Sequence, residues 1–452
     1  MSPMDDDTLL IRELPWVEPA EMFARLSGHP GIAFIDSAAE GDPRSGVSYI
    51  AVDPAEEVRL ATATMDEALA VLRRLHRPAA TKGPLPFTGG LIGLLSYDLG
   101  PSAMGIGSRH PPDPELPALI VRRYDMLLGF DHDARRSWGF ARPRDGLSAE
   151  QRLQRLLRAA SAPPGDDAAP AWVEETGPAH HRAMIEAVLR YLRAGDIYQA
   201  NISTRFVAPL PAGFSPAAAY LALRRRSPAP FASYLDLGAG SSLLSASPER
   251  FVQCDSAGRI ETRPIKGTAP RAAEPREDRR NGERLARSDK DRAENLMICD
   301  LLRNDLSKVA EEGSVNVSQL AALEGFSSVW HLVSTIHARM RVGEDAIGLL
   351  AATFPGGSIT GAPKRRAVEI IDELEDSARG PFFGIVFVLA GDGALDSSIV
   401  IRSIVATSTR LIARAGGGIV ADSDPSSEYA ELRAKVDPIL GQPSRQSFDP
   451  AS

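Results

Sequence analysis

Short strand-like runs and long helical stretches follow one another along this 452-residue chain without strict alternation. That order excludes a doubly wound parallel sheet and predicts an α+β sandwich. Strands are expected at Ala33–Ser37, at Val47–Val52, within the glycine-rich Phe87–Gly100, over Leu119–Leu128 and at Ser137–Ala141. Helices are expected at Met65–His76 and Ala149–Ala159, where apolar residues recur at helical spacing. Ser161–Ala171 is a low-complexity linker, and it divides an N-terminal region, 1–165, from a second domain, 172–442. Beyond it, helices are predicted at His180–Ala194, Ser215–Arg226, Ala293–Leu306, Ala346–Phe354, Lys364–Glu375 and Ser427–Leu440. Strands are predicted at Ile197–Phe206, at Phe231–Leu237 paired with Ser242–Ser245, and at Gly384–Ala390 paired with Ser398–Ala406. Leu411–Ala415 leads into a glycine loop, Gly416–Gly418.

The formal net charge of −8 gives no general attraction to nucleic acid or anionic lipid. A strongly anionic substrate would therefore need local cations. Two cysteines, Cys254 and Cys299, suit a reducing cytosol and exclude a disulfide scaffold. The start, MSPMDDD, has no apolar core of a signal peptide, and the longest apolar run, around Phe382–Ala390, is too short to span a bilayer. A soluble, cytoplasmic protein without membrane or nucleic-acid partners is the expectation.

The chemistry centres on Arg263–Arg271, RPIKGTAPR. Pro264 fixes its own φ and Gly267 permits a conformation that other residues resist, so Lys266 is expected on a turn that aims it. The flanking arginines would depress its pKa by like-charge repulsion, as a nucleophilic amine requires. Asp291 and Glu294 lie three apart on one predicted helix, and Glu428 and Glu431 lie three apart on the last one. Carboxylates from two helices make an oxygen site suited to Mg2+ rather than zinc, and the eight histidines lack metal-ligand spacing. Gly356–Lys364 is not a P-loop, and Gly416–Gly418 is not a dinucleotide fingerprint. Both expose backbone N–H groups able to hold a carboxylate. Arg402, Lys364 and Lys435 are the candidate local cations.

SASPERF (Ser245–Phe251), RPIKGT, AENLMICDLLRND (Ala293–Asp305), HLVSTI (His331–Ile336), GGSITGAPK, IRS (Ile401–Ser403) and GGGIVADSDPSSEYAELRAK resemble, in that order, the chorismate-utilising enzymes. The similarity is strong over residues 180–440 and weaker in AFIDS, SYIAVDP and FTGGLIGLLSYDLG of the N-terminal part. It implies layered antiparallel sheets, a β-sandwich core, flanked by helices. Members that add water carry a lysine base where this chain has Gln199, and members that make anthranilate carry alanine where it has Lys266. The resemblance therefore implies the branch that replaces the 4-hydroxyl of chorismate by an amino group, on the route to p-aminobenzoate and folate. A lyase making anthranilate and a catalytically silent chorismate-binding relative are the alternatives.

The resemblance further implies Lys266 as nucleophile, Glu249 as general acid and His331 as a group near the leaving oxygen. Mg2+ would be held by Glu294 and Glu431, backed by Asp291 and Glu428. Gly267 and Thr268 would line the ring, while Thr360, Arg402, Gly416, Gly417, Gly418 and Lys435 would bind carboxylates. Ammonia would come from a separate glutamine amidotransferase subunit, because both cysteines lie inside the synthase motifs. Relatives usually carry a tyrosine where this chain has Phe382 and a glycine–tyrosine pair where it has Val386–Phe387. Each lost hydroxyl removes a contact of roughly 0.5–1.5 kcal/mol. A candidate amino-acid pocket lies around Asp36–Ser37 and Ser48–Tyr49, a region that can hold tryptophan in relatives.

Overall fold

The computed structural model describes residues 8–39, 41–42, 44–79, 83–158, 170–326 and 329–441. Within them the strands gather into two antiparallel sheets, one of twelve strands and one of ten. The larger runs from Leu10–Leu14 through Arg136–Ala141, Met126–Asp131, Val47–Ala51 and Ala33–Asp36 into Phe231–Gly238 and Ser241–Ser247. It continues through Ser403–Ala406, Arg410–Ile419 and Gln199–Pro209. The smaller joins Ile265–Pro270, Val329–Arg339, Arg259–Thr262, Arg250–Cys254 and Leu395–Ile399 to Ile385–Ala390, Gly90–Leu95, Leu119–Tyr124 and Glu56–Leu60. Strands from both sides of the stretch 161–171 share each sheet; most of that stretch lies outside the described residues.

Period-two patterning decides which face each residue covers. Leu243 joins Leu91, Leu94 and Val405 in the core between the sheets. Its neighbour Leu244 points the other way, into a second core with Phe23, Phe34, Tyr220 and Leu432. That core is closed by the helices Pro19–Leu26, Pro216–Arg226 and Pro425–Leu440. Two further helices, Gly177–Ala194 and Lys364–Leu374, pack Ile185 and Ile371 against Ile202 of the strand Gln199–Pro209. Helix ends follow capping chemistry: Ser288 and Asp424 accept from Asp291 N and Ser427 N at the starts. Gly195 and Gly441 supply the left-handed residue at the ends.

Two expectations need correction. Leu119–Leu128 is not one strand: Leu119–Tyr124 belongs to the smaller sheet and Met126–Asp131 to the larger. The chain crosses at Asp125, which is buried against Arg152 at 2.9 Å and Arg144 at 3.1 Å. Likewise Ser398–Ala406 does not pair as a unit with the strand before it. Ile385–Ala390 pairs with Leu395–Ile399, and the chain then crosses to place Ser403–Ala406 in the larger sheet. An apolar run cannot reveal such a crossing, because both halves are buried.

A second crossing lies beside that last one. Ser241–Ser247 is in the larger sheet and Arg250–Cys254 in the smaller. Ser245 stands opposite Ser403 on one side of it, and Arg250 opposite Ser398 on the other. Glu249 and Arg402 are therefore brought side by side at the seam between the sheets.

A fully buried ion cluster braces this region. The Glu375 carboxylate accepts from Arg379 Nη2 at 2.7 Å, Arg414 Nη1 at 2.7 Å, Ser203 N at 2.8 Å and Ser203 Oγ at 2.7 Å. Burial alone would push its pKa up, yet the two guanidinium groups outweigh burial and hold it below the ordinary carboxylate value. Its contribution to stability is therefore present above the ordinary carboxylate range and lost on acidification. Glu375→Ala leaves two buried cations unpaired and should cost about 3–5 kcal/mol. A lower urea midpoint with unchanged slope is the expected readout; an unmoved midpoint would show that the cluster stabilises nothing.

Candidate active site

Lys266 lies on a strand rather than on a turn. Ile265–Pro270 pairs with Val329–Arg339, and the register slips between Lys266 and Thr268. The bulge is at Gly267, whose φ is +75° and whose added Cβ would lie 2.9 Å from Leu285 Cδ1 and 3.0 Å from Asp291 Cβ. Glycine is required there both for backbone conformation and for space. The bulge turns the Lys266 amine to within 3.5 Å of the Ser358 carbonyl oxygen. Its pKa is lowered, but not by the arginines. Burial is the main cause, with Lys435 adding to it and Glu294 and Glu249 opposing. Arg263 is spent on Glu324, and Arg271 on Asp278 at 2.8 Å.

Glu249 sits at the sheet crossing, 9% exposed. Burial raises its pKa, against the opposing pull of Lys266, Ser358, Arg402 and Arg44. Arg402, at the neighbouring crossing, has φ +51°, a strained conformation for a side-chain-bearing residue. Its guanidinium hydrogen-bonds to no described residue, and burial lowers its pKa while Glu249 opposes that. His331 is buried, and burial pushes its pKa down to about 4, so the ring is neutral near pH 7. Its Nδ1 is 3.3 Å from the Gly267 carbonyl oxygen and 3.0 Å from Thr268 Oγ1. A carbonyl only accepts, so Nδ1 carries the proton and Nε2 is left as an acceptor.

The presumed glycine loop is a strand. Arg410–Ile419 runs through Gly416–Gly418, which pair with Ser203, Ile202 and Asn201. Side chains would not fit: a Cβ on Gly416 would lie 2.1 Å from the Ile202 oxygen, and one on Gly418 would lie 2.7 Å from Gln199 Nε2 and 3.5 Å from Lys266 Nζ. A Cβ on Gly417 would stand 3.4 Å from Glu428 Oε2, 3.6 Å from Lys435 Nζ and 3.9 Å from Glu431 Oε1. The three glycines thus keep a floor clear beneath the charged groups. Gln199 is fully buried, and neither its amide oxygen nor its nitrogen has a hydrogen-bond partner among the described residues. A buried polar group left open in this way needs something to bind.

Four carboxylates and three lysines surround that floor. Lys290 reaches Glu428 at 3.4 Å and Glu294 at 4.0 Å, and Lys435 reaches Glu431 at 2.6 Å and the Gly416 carbonyl oxygen at 3.0 Å. Ser423 donates to Glu428 at 2.6 Å. Burial raises the Glu294 pKa, with Lys266 and Lys290 opposing and Asp291 and Glu428 adding to it. Lys435 lowers that of Glu431. Oxygen donors from two helices around a glycine-cleared space fit a hard dication. Among the described residues, no three His, Cys, Asp or Glu side chains already stand at metal-ligand spacing, because the lysines interleave them.

Thr360 is fully buried and donates its hydroxyl to the Gly356 carbonyl at 2.8 Å, so it frames the wall. Lys364 is not a site cation: it is bound to Asp305 at 2.5 Å. Phe382 and Phe387 lie wholly inside the inter-sheet core. Lys290 went unnoticed in the sequence although it stands four residues before Glu294, the spacing that pairs charges on a helix. Ser358 lies in the motif GGSITGAPK, but nothing local marked its carbonyl as facing Lys266. A cavity of about 610 Å³ lies elsewhere, between the sheets, and is lined by Asp36, Ser37, Arg44, Tyr49, Phe231 and Ser233 among others.

The profile of the family described as "chorismate binding enzyme" matches residues 33–441. Aminodeoxychorismate synthase component 1 of Klebsiella aerogenes is 44% identical over 79% of this chain and 78% of its own length. Anthranilate synthase component 1 of Thermus thermophilus is 36% identical over 93% and 94%. Among solved structures, anthranilate synthase component I of Streptococcus pneumoniae superposes with a TM-score of 0.76 at 28% identity, covering 89% of this chain and 93% of that one.

Limited acetylation with peptide mass mapping tests the electrostatics. Lys266, lowered by burial, should carry label at a pH where Lys290, raised by Glu428 and Glu294 against its burial, is still unreacted. The reverse order would mean that burial does not lower the Lys266 pKa below that of Lys290.

Proposed function

The chain belongs to the chorismate-binding enzyme family, and from that premise we propose that it acts as an aminodeoxychorismate synthase component 1, converting chorismate and ammonia to 4-amino-4-deoxychorismate. The observation that carries this reading is Lys266, an amine lowered by burial and set between Glu249 and Glu294. A member that makes anthranilate would have alanine there. The 44% identity to the synthase named above, against 36% to the anthranilate synthase, supports the same choice.

In the proposed mechanism Glu249, whose pKa burial raises, gives its proton to the departing 4-hydroxyl, which leaves as water. The Lys266 amine attacks ring carbon 2, and the proton it sheds as the adduct forms returns to the Glu249 carboxylate. Ammonia then attacks carbon 4, the bond from carbon 2 to the lysine nitrogen breaks with the electron pair going to nitrogen, Glu249 protonates that nitrogen to restore the amine, and the proton shed by the incoming ammonia restores Glu249. His331 Nε2 accepts a hydrogen bond near the leaving oxygen. Arg402, whose guanidinium hydrogen-bonds to no described residue, takes a substrate carboxylate, and Lys435 and the Gly416–Gly418 floor border the other. Gly267 and Thr268 line the ring. Glu294 and Glu431, backed by Asp291 and Glu428, are the residues to hold Mg2+, which when bound supplies Lewis-acid withdrawal from the ring carboxylate.

Neither cysteine offers a glutaminase nucleophile, since Cys254 and Cys299 are buried and burial raises both thiols. A separate glutamine amidotransferase subunit is therefore part of the proposal. So is tryptophan in the inter-sheet cavity, whose Tyr49 and Phe231 walls and unpartnered Ser233 hydroxyl suit an aromatic amino acid. No described helix is long and apolar enough to cross a membrane, and a cytoplasmic location is proposed with the rest.

The test is to incubate the pure chain with chorismate, Mg2+ and ammonium and to trap the product as p-aminobenzoate with an aminodeoxychorismate lyase. We expect p-aminobenzoate with ammonium and none with glutamine alone; anthranilate, identified by mass, would overturn the reading. Glu249→Gln should fall by ~10²–10⁴ in kcat, and a normal rate would remove the acid assignment.

A further inference from the structure

Arg44 belongs to the N-terminal part of the chain, 204 positions before Pro248, yet its Nη1 donates to the Pro248 carbonyl oxygen at 3.4 Å. Pro248 is the residue just before Glu249 at the sheet crossing. The remaining face of the guanidinium is fixed by Asp42: Nε to Oδ1 is 2.9 Å and Nη2 to Oδ2 is 2.7 Å. Its plane lies 4.3 Å from the centre of the Phe326 ring, and Phe326 packs against the His331 ring at 5.3 Å. Only 12% of the side chain is exposed. One guanidinium thus touches the crossing that carries Glu249 and the ring that backs His331.

We propose that Arg44 is a positioning residue for both: it fixes the backbone of the Glu249 crossing, buttresses His331 through Phe326, and keeps a positive charge between them. This rests on the reading of Glu249 as the acid. The charge is felt at both groups, opposing the burial-driven rise at Glu249 and adding to the fall at His331. The other groups facing Glu249 are Lys266, Ser358 and Arg402; those facing His331 are Arg402, Asp42, Thr268 and the Gly267 carbonyl. Arg402 differs from Arg44 in having no hydrogen-bond partner for its guanidinium among the described residues, so a substrate anion can take it. Arg44 is held by Asp42 and stays in place throughout turnover. It is a fixed part of the acid's surroundings, supplied by the half of the chain that carries none of the reacting groups.

The experiment is the pH dependence of kcat and kcat/KM for ammonium-driven amination in Arg44→Met, Arg44→Lys, Asp42→Asn and Glu249→Gln. Arg44→Met should lose on the order of tenfold to a hundredfold in kcat through misplacement, with KM for chorismate little changed. Both limbs of its profile should move to higher pH, because removing a positive charge raises the pKa of both groups. Arg44→Lys should return the limbs toward their original positions without restoring kcat, since an ammonium cannot pair with Asp42 in a fork and lie flat on Phe326. Asp42→Asn, which unmasks the charge, should move the limbs to lower pH, and it serves equally if Arg44→Met does not fold. Unmoved limbs in Arg44→Met and Asp42→Asn, or a loss confined to KM, would overturn the proposal. If Glu249→Gln is crippled while the limbs of the Arg44 variants stay put, only the role of Arg44 falls; if Glu249→Gln is fully active, the acid reading falls with it.

Discussion

One buried carboxylate fixes the strands that matter most. Glu375 lies just beyond the helix Lys364–Leu374 and binds Ser203 of one floor strand and Arg414 of the other. Arg379, the second guanidinium on Glu375, also donates to the carbonyls of Ile359 and Asn201 at 2.9 and 2.7 Å and is sandwiched between the Tyr97 and Phe383 rings. Apolar residues of similar volume could fill that space as stably. They could not hold the register of Gly416–Gly418 against Gln199–Ser203, nor the loop that presents Ser358 and Thr360. A one-residue slip would turn every floor residue to the opposite face.

On that frame the charges form a system rather than a set. Asp291, Glu294, Glu428 and Glu431 outnumber Lys266, Lys290 and Lys435 by one, so the cluster is slightly anionic as it stands. The proposed dication would offset that excess, which suits a substrate bearing two carboxylates. Burial works in opposite directions on the two key groups: it lowers the pKa of Lys266 and raises that of Glu249. The amine and the acid of the proposed mechanism are thus favoured by the same desolvation acting on two chemistries. Solvating the pocket would undo both at once.

The motif residues were legible because they are dense in local signals. Helix spacing placed Asp291 with Glu294 and Glu428 with Glu431, and the helix ends expected at Ala194 and Leu440 are the observed ones. The α+β class followed from element order, and the layered antiparallel sheets from the resemblance. What the chain hid was non-local. The crossings at Asp125, Pro248–Glu249 and Val400–Arg402 separate strands buried on both faces, so no change of pattern marks them. Lys266 was expected on a turn because Pro264 and Gly267 usually make one; a bulge uses the same residues when a partner strand is present. The source of its lowered pKa was misattributed for the same reason. Which arginines face an amine depends on distant partners such as Glu324 and Asp278, which take up Arg263 and Arg271.

The least legible feature is the dependence of the second half of the chain on the first. Every residue assigned to the reaction lies beyond Gly195, yet the seam that joins Glu249 to Arg402 is part of sheets that also contain Ala33–Asp36 and Gly90–Leu95. Arg44 carries that dependence to the reacting groups themselves, and it borders the inter-sheet cavity as well. A chain cut near residue 165 would leave Ile385–Ala390 and Phe231–Gly238 each with an unpaired edge. It would also expose the core between them, where the Phe387 ring occupies the space that a Cβ on Gly93 would need. The N-terminal residues are therefore half of the scaffold on which Glu249 is mounted, and the geometry of the proposed acid depends on their folding.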